Sequence, residues 1–179
     1  TRSKRVFSRS LPSKGVQDPY NALAVVKCVR LLGYPEFLWK SDGESSIIAL
    51  REAVRRLVPG IQPELAAKGE SESNADAEAA VGVLQSQIRT MRSALEERYK
   101  MTLNPRHILL AWMVDYAGVL LSLYQQGPDG KTGYERSVGR RWREALPEFG
   151  ECVHYKPLKA KGGTRLRKIE ARYEDGIYV

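Results

Sequence analysis

Two acidic residues in this chain have the side-chain chemistry and the sequence spacing needed to share a divalent cation. Asp42 follows a short apolar run, residues 37–39, that predicts a buried strand, and Glu78 lies in the first turn of a predicted long helix. Thirty-five residues, 43–77, separate the two acids. Carboxylates at a strand end and a helix start can converge on Mg²⁺, which prefers oxygen ligands. Each also has a purely structural alternative, because Asp often forms turns and Glu often complements a helix dipole.

The elements around the first acid have the pattern of an α/β fold. Asp18 followed by Pro19 predicts an N-cap and the first residue of a helix. The strand of residues 37–39 comes next, and Ser45 or Ser46 is predicted to cap a second helix. The order helix, strand, helix is typical of α/β proteins.

The second half of the chain predicts two long helices. A short strand within residues 61–67 and a polar loop, 68–73, precede the first helix, which spans about residues 74–99. A second helix is predicted to begin at Asn104 with Pro105 and to end near residue 125. It is apolar nearly all round, which predicts burial or a subunit contact. The predicted core stripe of the first helix consists of Ala77, Val81, Leu84, Ile88, Met91 and Leu95.

The charge is concentrated at the two ends of the chain. The formal net charge is +8, and residues 1–14 carry five basic residues and no acid, while residues 131–179 carry twelve basic and seven acidic residues. Basic ends suit a polyanion such as nucleic acid, although a solvated surface of an ordinary basic protein gives the same count. Asp115 interrupts the longest apolar stretch, so no membrane span is predicted. Cys28 and Cys152 have neither the number nor the spacing of a disulfide framework or a zinc site.

Two short motifs resemble those of a known family. KSDGE at 40–44 and SNADAE at 73–78 resemble the second and third acidic motifs of retroviral and copia-type retrotransposon integrases, although Ala75 replaces the usual Gly. The resemblance implies an α/β fold: an incomplete ribonuclease H-like core, residues 1–126, and a linker, 127–145. A truncated SH3-like β-module, residues 146–179, would follow, because the end of the chain resembles the segment that follows copia-type cores.

The resemblance also implies an activity and a cofactor. Asp42 and Glu78 would be catalytic and would bind Mg²⁺ or Mn²⁺, with two ions in the complete enzyme, for cleavage and strand transfer of DNA. The family carries a further Asp on an earlier strand. Asp18 is the only Asp before residue 42 and is assigned to a helix cap, and residues 5–11 are predicted to form a later strand of the same sheet. We therefore expect that the first strand and the first Asp are absent and that this piece alone is inactive.

DNA is the predicted partner. Gln85, Arg89 and Arg92 lie on the same side of the long helix as Glu78, where they can follow a phosphate backbone. The alternative is an exposed helix face on which Arg92 pairs with Glu96. The full set of predicted nucleic-acid-binding residues is Lys40, Asn74, Gln85, Arg89, Arg92, Arg140, Arg141, Lys159 and Lys161.

Further expectations follow from the same resemblance. Helix 106–125 is predicted to form a homo-oligomer contact, and no membrane is expected as a partner. The site of action is expected to be the nucleus of a eukaryotic host or a retroelement particle. The alternative function is a non-catalytic, degenerate or co-opted nucleic-acid-binding or dimerisation module. His107 and His154 are predicted to have structural roles, because neither has a second ligand at metal-binding spacing.

Overall fold

The computed structural model describes residues 3–41, 43–65, 75–157 and 172–179. Helices and strands alternate in the first half of these residues, and helices dominate the second. In chain order the elements are α1 (Pro19–Leu32), β1 (Phe37–Ser41), α2 (Ser45–Leu57), β2 (Ile61–Leu65), α3 (Ala75–Tyr99), α4 (Ile108–Tyr124), α5 (Gly133–Val138), β3 (Cys152–Tyr155) and β4 (Glu174–Ile177).

Strands β1 and β2 form a parallel pair joined by helix α2. Phe37 lies opposite Ile61, and Ser41 opposite Leu65. Because the strands are parallel, their carboxyl ends lie at the same edge of the sheet. The sequence predicted a buried strand here, but β1 is only partly buried, because Leu38 is 64% exposed. The reason is that apolar side chains cover one face only, where a cluster built on Ala22, Val26, Val54 and Ile61 packs against Phe37 and Trp39.

Local capping explains where the first two helices begin. The Asp18 carboxylate accepts a hydrogen bond of 2.8 Å from the Tyr20 N–H, as predicted for the N-cap of α1. The prediction that a serine caps α2 is wrong. Glu44 occupies the N-cap position, and the Ser46 hydroxyl donates to the Glu44 carboxylate at 2.6 Å.

A second core holds α3, α4 and the C-terminal segment together. Its buried members are Met91, Leu95, Leu103, Met113, Tyr116, Ala117 and Phe149. The Tyr116 hydroxyl donates to the Pro147 carbonyl at 2.5 Å, and the Tyr116 ring lies 5.7 Å from the rings of both Phe149 and Tyr178. Burial raises the pKa of Tyr116 to about 12. The C-terminal segment therefore shares its core with the two long helices.

Residues 3–10, here called the N-terminal strap, run along α4. The prediction of a strand over residues 5–11 is wrong, because the strap bonds to helix side chains and not to a neighbouring strand. The Val6 N–H donates to Ser122 Oγ at 3.1 Å, and that hydroxyl donates back to the Val6 carbonyl at 2.6 Å. Gly118 permits this approach, since a Cβ there would lie 2.2 Å from Ser8 Oγ.

Helix α4 begins later than the sequence predicted. Asn104 accepts from the Arg106 N–H at 2.8 Å in a turn that precedes the helix, and His107 is the N-cap, its Nδ1 accepting from the Leu109 N–H at 3.2 Å. His107 thus has the structural role predicted for it. Only one side of α4 is buried, since Ile108 and Trp112 are 68% and 52% exposed.

Strands β3 and β4 form an antiparallel pair, with Cys152 opposite Ile177 and Tyr155 opposite Glu174. Helix α5 lies within the segment predicted as a linker, capped by Thr132, whose hydroxyl accepts from the Glu135 N–H at 3.1 Å. The domain boundaries at residues 126 and 145 stay predictions. In the part of the chain that the structure describes, no helix has the length and apolar character required to cross a bilayer.

Candidate functional site

The carboxyl edge of the β1–β2 sheet is the place where the sequence predicted chemistry. β1 ends at Ser41, and Asp42 is the next residue in the sequence. Four of the predicted site residues, namely Asp42, Asn74, Lys159 and Lys161, lie outside the described residues. Lys40 is described and is exposed on β1, two residues before the predicted catalytic Asp.

Glu78 lies in the first turn of α3, where the sequence predicted it, and its side chain is exposed. Asp76 shares that turn, and its carboxylate is paired with the Lys4 ammonium of the N-terminal strap. The hydrogen bond from Lys4 lowers the pKa of Asp76, so this acid stays ionised and neutralised. Among the described residues Glu78 has no such partner, which leaves its oxygens accessible to a ligand.

The predicted metal site is only partly within the described ranges. Over residues 3–41, 43–65, 75–157 and 172–179, no three His, Cys, Asp or Glu side chains are grouped so that they could bind a metal ion. Of the two predicted ligands, Glu78 alone is described. Carboxylates are the donor type that Mg²⁺ and Mn²⁺ prefer, so the chemistry of this donor pair fits the predicted cofactor.

A cavity of about 820 Å³ lies between the N-terminal strap, the end of β1, the start of α3 and the segment that contains α5. Lys40 lines it from β1, and Asp76, Ala77 and Ala80 line it from α3. The end of β1 and the first turns of α3 therefore meet at one cavity. Glu78 is in the same turn of α3 but is not one of the lining residues. We call this space the basic cavity, after its four lining cations, Lys4, Arg5, Lys40 and Arg136.

The three predicted DNA-binding residues of α3 differ in their surroundings. Gln85 is exposed, and so is Arg89, whose guanidinium donates only to Ser86 Oγ within its own helix, at 2.8 Å. Arg92 instead donates to the Glu96 carboxylate and to the Leu103 carbonyl, each at 2.9 Å. The structure therefore contains the Arg92–Glu96 pair, which the sequence left open as the alternative to DNA binding.

Glu96 completes this arrangement by accepting from the Leu103 N–H at 2.8 Å. The Leu103 N–H and the Arg92 side chain together lower the pKa of Glu96. Arg140 and Arg141 are both exposed after α5, and the Arg141 Nε lies 3.7 Å from the Glu135 carboxylate.

Three lining cations of the basic cavity, Lys4, Arg5 and Arg136, were not predicted as site residues. The basic run at residues 1–14 gave a signal for the first two, but only as net charge. No local pattern identifies Arg136, because it reaches the cavity through the packing of α5 against the strap, where its guanidinium donates to the Ser3 carbonyl at 3.3 Å.

Comparison with known proteins gives a likeness among solved structures. No protein-family model and no curated protein matches the chain. Among solved structures, the chain is similar to the crystal structure of the catalytic core domain of BIV integrase. The TM-score is 0.51 at 20% sequence identity, over 78% of this chain and 81% of that one. The likeness is one of fold, and it confirms the integrase-core part of the predicted fold class; the SH3-like module stays a prediction.

Proposed function

We propose that this chain is part of a retroelement integrase, of the copia type that its motifs resemble, and that the complete enzyme cleaves and joins DNA by metal-dependent phosphoryl transfer. The observation that carries the proposal is the β1–α2–β2 unit followed by α3, in a fold similar to the catalytic core domain of BIV integrase. In that arrangement Asp42 follows the carboxyl end of a parallel strand, and Glu78 opens the helix that shares a cavity with the same strand.

The proposed roles of the residues follow from their chemistry. Asp42 and Glu78 would bind the divalent ions, which supply Lewis acidity for phosphodiester displacement when bound. Lys40, Asn74, Gln85 and Arg89 would neutralise or hydrogen-bond the DNA backbone next to that position. The third carboxylate implied by the resemblance would come from an earlier strand, so we expect the 179-residue chain alone to lack activity.

Partner and location belong to the same proposal. Ile108, Trp112 and Val119 occupy one side of α4 and are 68%, 52% and 43% exposed. We propose this side as the homo-oligomer contact that the sequence predicted for helix 106–125. From the resemblance, we propose the nucleus of a eukaryotic host or a retroelement particle as the site of action.

The test is a nicking and strand-transfer assay on a chain extended by the sequence encoded upstream of Thr1. Asp42→Asn and Glu78→Gln are each expected to lower the Mg²⁺-dependent rate by about 100-fold or more, because each removes an oxygen ligand worth several kcal/mol in the transition state. Glu97→Gln is the matched control: it neutralises an exposed acid of α3 that does not line the basic cavity, and activity is expected to persist. Full activity in both site variants would contradict the mechanism.

The exposed apolar side of α4 also favours the second candidate, a non-catalytic nucleic-acid-binding or dimerisation module. That function predicts salt-dependent DNA binding by the extended chain without nicking or joining. It also predicts that binding is indifferent to Mg²⁺ and to Asp42→Asn and Glu78→Gln. Strand transfer in the same preparation would exclude it.

A further inference from the structure

We propose that the basic cavity binds the sugar–phosphate backbone of double-stranded DNA, and that the Lys4–Asp76 ion pair competes with this binding. The choice of DNA rests on the proposed function. The residues involved are mainly ones that the sequence did not assign to a site: Lys4 and Arg5 of the strap and Arg136 of α5 join Lys40 of β1 around one space.

The charge of the cavity wall favours a polyanion. Four of the lining side chains are cationic, and Asp76 is the one acidic residue among those that the structure describes there. Phosphates repeat along a nucleic acid, so a wall with several separated cations can neutralise more than one of them and release their counterions. Gln125 and Gln126 also line the cavity, and their amides can donate to phosphate oxygens.

Two of the cations are held in place by the fold. The Arg5 guanidinium lies 4.9 Å from the centre of the Phe7 ring and 5.4 Å from that of Tyr134, and it donates to the Leu31 carbonyl at 3.2 Å. Arg136 is paired with Asp129, and this interaction lowers the pKa of Asp129 to about 2. Arg5 therefore contributes a fixed positive charge to the wall, whereas Asp129 offsets the charge of Arg136.

The other two cations are available to a ligand in different degrees. Lys40 is exposed and, in the described part of the chain, has no ion-pair partner. Lys4 is also exposed, but Asp76 neutralises it. A phosphate that binds Lys4 would compete with the Asp76 carboxylate for its ammonium, so Asp76 acts as an internal competitor.

The experiment measures binding of the full 179-residue chain to a fluorescent DNA duplex of about 20 base pairs in EDTA, over a series of salt concentrations. Lys40→Glu is expected to weaken binding about 10-fold and to reduce the slope of log K against log salt by about 1. Asp76→Asn is expected to tighten binding about threefold, because it frees Lys4 and removes a negative charge. Lys27→Glu is the matched control, since Lys27 is exposed on α1 outside the cavity, and we expect a change of less than about twofold.

Thermal unfolding of each variant checks that the fold is retained. Equal weakening by Lys40→Glu and Lys27→Glu would overturn the proposal in favour of a general charge effect. Weaker binding by Asp76→Asn would overturn the competitor role. Competition by polyglutamate as effective as that by unlabelled duplex would assign the cavity to an acidic protein partner. The binding assay contains no metal, so DNA binding that does not depend on the cavity residues contradicts this inference alone. DNA binding in the cavity without strand transfer by the extended chain contradicts the proposed function alone.

Discussion

The two halves of helix α3 carry the same apolar period but have different surroundings. In the C-terminal half, Met91 and Leu95 are 8% and 4% exposed and belong to the core shared with α4. In the N-terminal half, Ala77 is exposed and Val81 is 51% exposed. The predicted core stripe from Ala77 to Leu95 is therefore correct only from Leu84 onward, where the side chains begin to pack on that core.

The cause is the position of the partner elements. Helix α4 and residues 146–149 cover the second half of α3, whereas the first half borders the basic cavity. Hydrogen bonds reinforce the division: Arg92 and Glu96 bind the backbone of Leu103, and Glu78 remains exposed. Helix α3 thus combines a structural half, which fixes its position, with an accessible half, which presents a carboxylate to solvent.

The largest expected contrast between the halves concerns stability. Leu95→Ala should lower the free energy of unfolding by about 2–5 kcal/mol, because it leaves a cavity in a packed core. Val81→Ala should change it by less than about 0.5 kcal/mol, because Val81 is half exposed and leaves no cavity in the core. Urea denaturation of both variants measures the difference. Equal losses would mean that the N-terminal half is buried as well.

An intermediate contrast concerns the two arginines. Arg92→Ala should lower the free energy of unfolding by about 1 kcal/mol, because it removes the hydrogen bonds to Glu96 and Leu103. Arg89→Ala should have an effect below about 0.5 kcal/mol.

For DNA binding, the order of the two substitutions by size of effect should reverse. Arg89 is free to leave Ser86 for a phosphate, so its removal should weaken binding more than removal of Arg92 does. Fluorescence anisotropy of both variants, normalised to the folded fraction, makes this measurement. A larger effect of Arg92→Ala on folded protein would contradict the division of roles.

The smallest expected effect is a pH dependence. The lowered pKa of Glu96 means that the folded state favours its ionised form, so this group adds stability above its ordinary pKa of 4.5. That contribution is lost as the pH falls from this value through the lowered pKa of the folded state. Glu96→Gln should therefore reduce stability at pH 7, and the difference from the unsubstituted chain should shrink as the pH falls below about 4.5. A difference independent of pH would exclude this ionic contribution.

Local signals in the sequence were reliable where they act over a few residues. Asp18 and Pro19 fixed the start of α1, and Gly33 fixed its end, because capping needs only neighbouring groups. The predictions failed where two caps compete or where burial decides. Glu44 takes the N-cap position in place of Ser45 or Ser46, and Asn104 forms a separate turn before His107 begins α4.

The candidate site likewise has features that the sequence shows and contacts that only tertiary packing creates. The spacing of Asp42 and Glu78, the basic ends of the chain and the alternation of helix and strand are properties of the sequence. The integrase-like fold was implied by the resemblance of the motifs around the two acids. The pairing of Lys4 with Asp76, 72 positions apart, and the entry of Arg136 into the basic cavity are not properties of the sequence. Caps and periodicity act over one or two helical turns, whereas contacts between distant segments depend on how whole elements pack, and that packing leaves no periodic trace in the sequence.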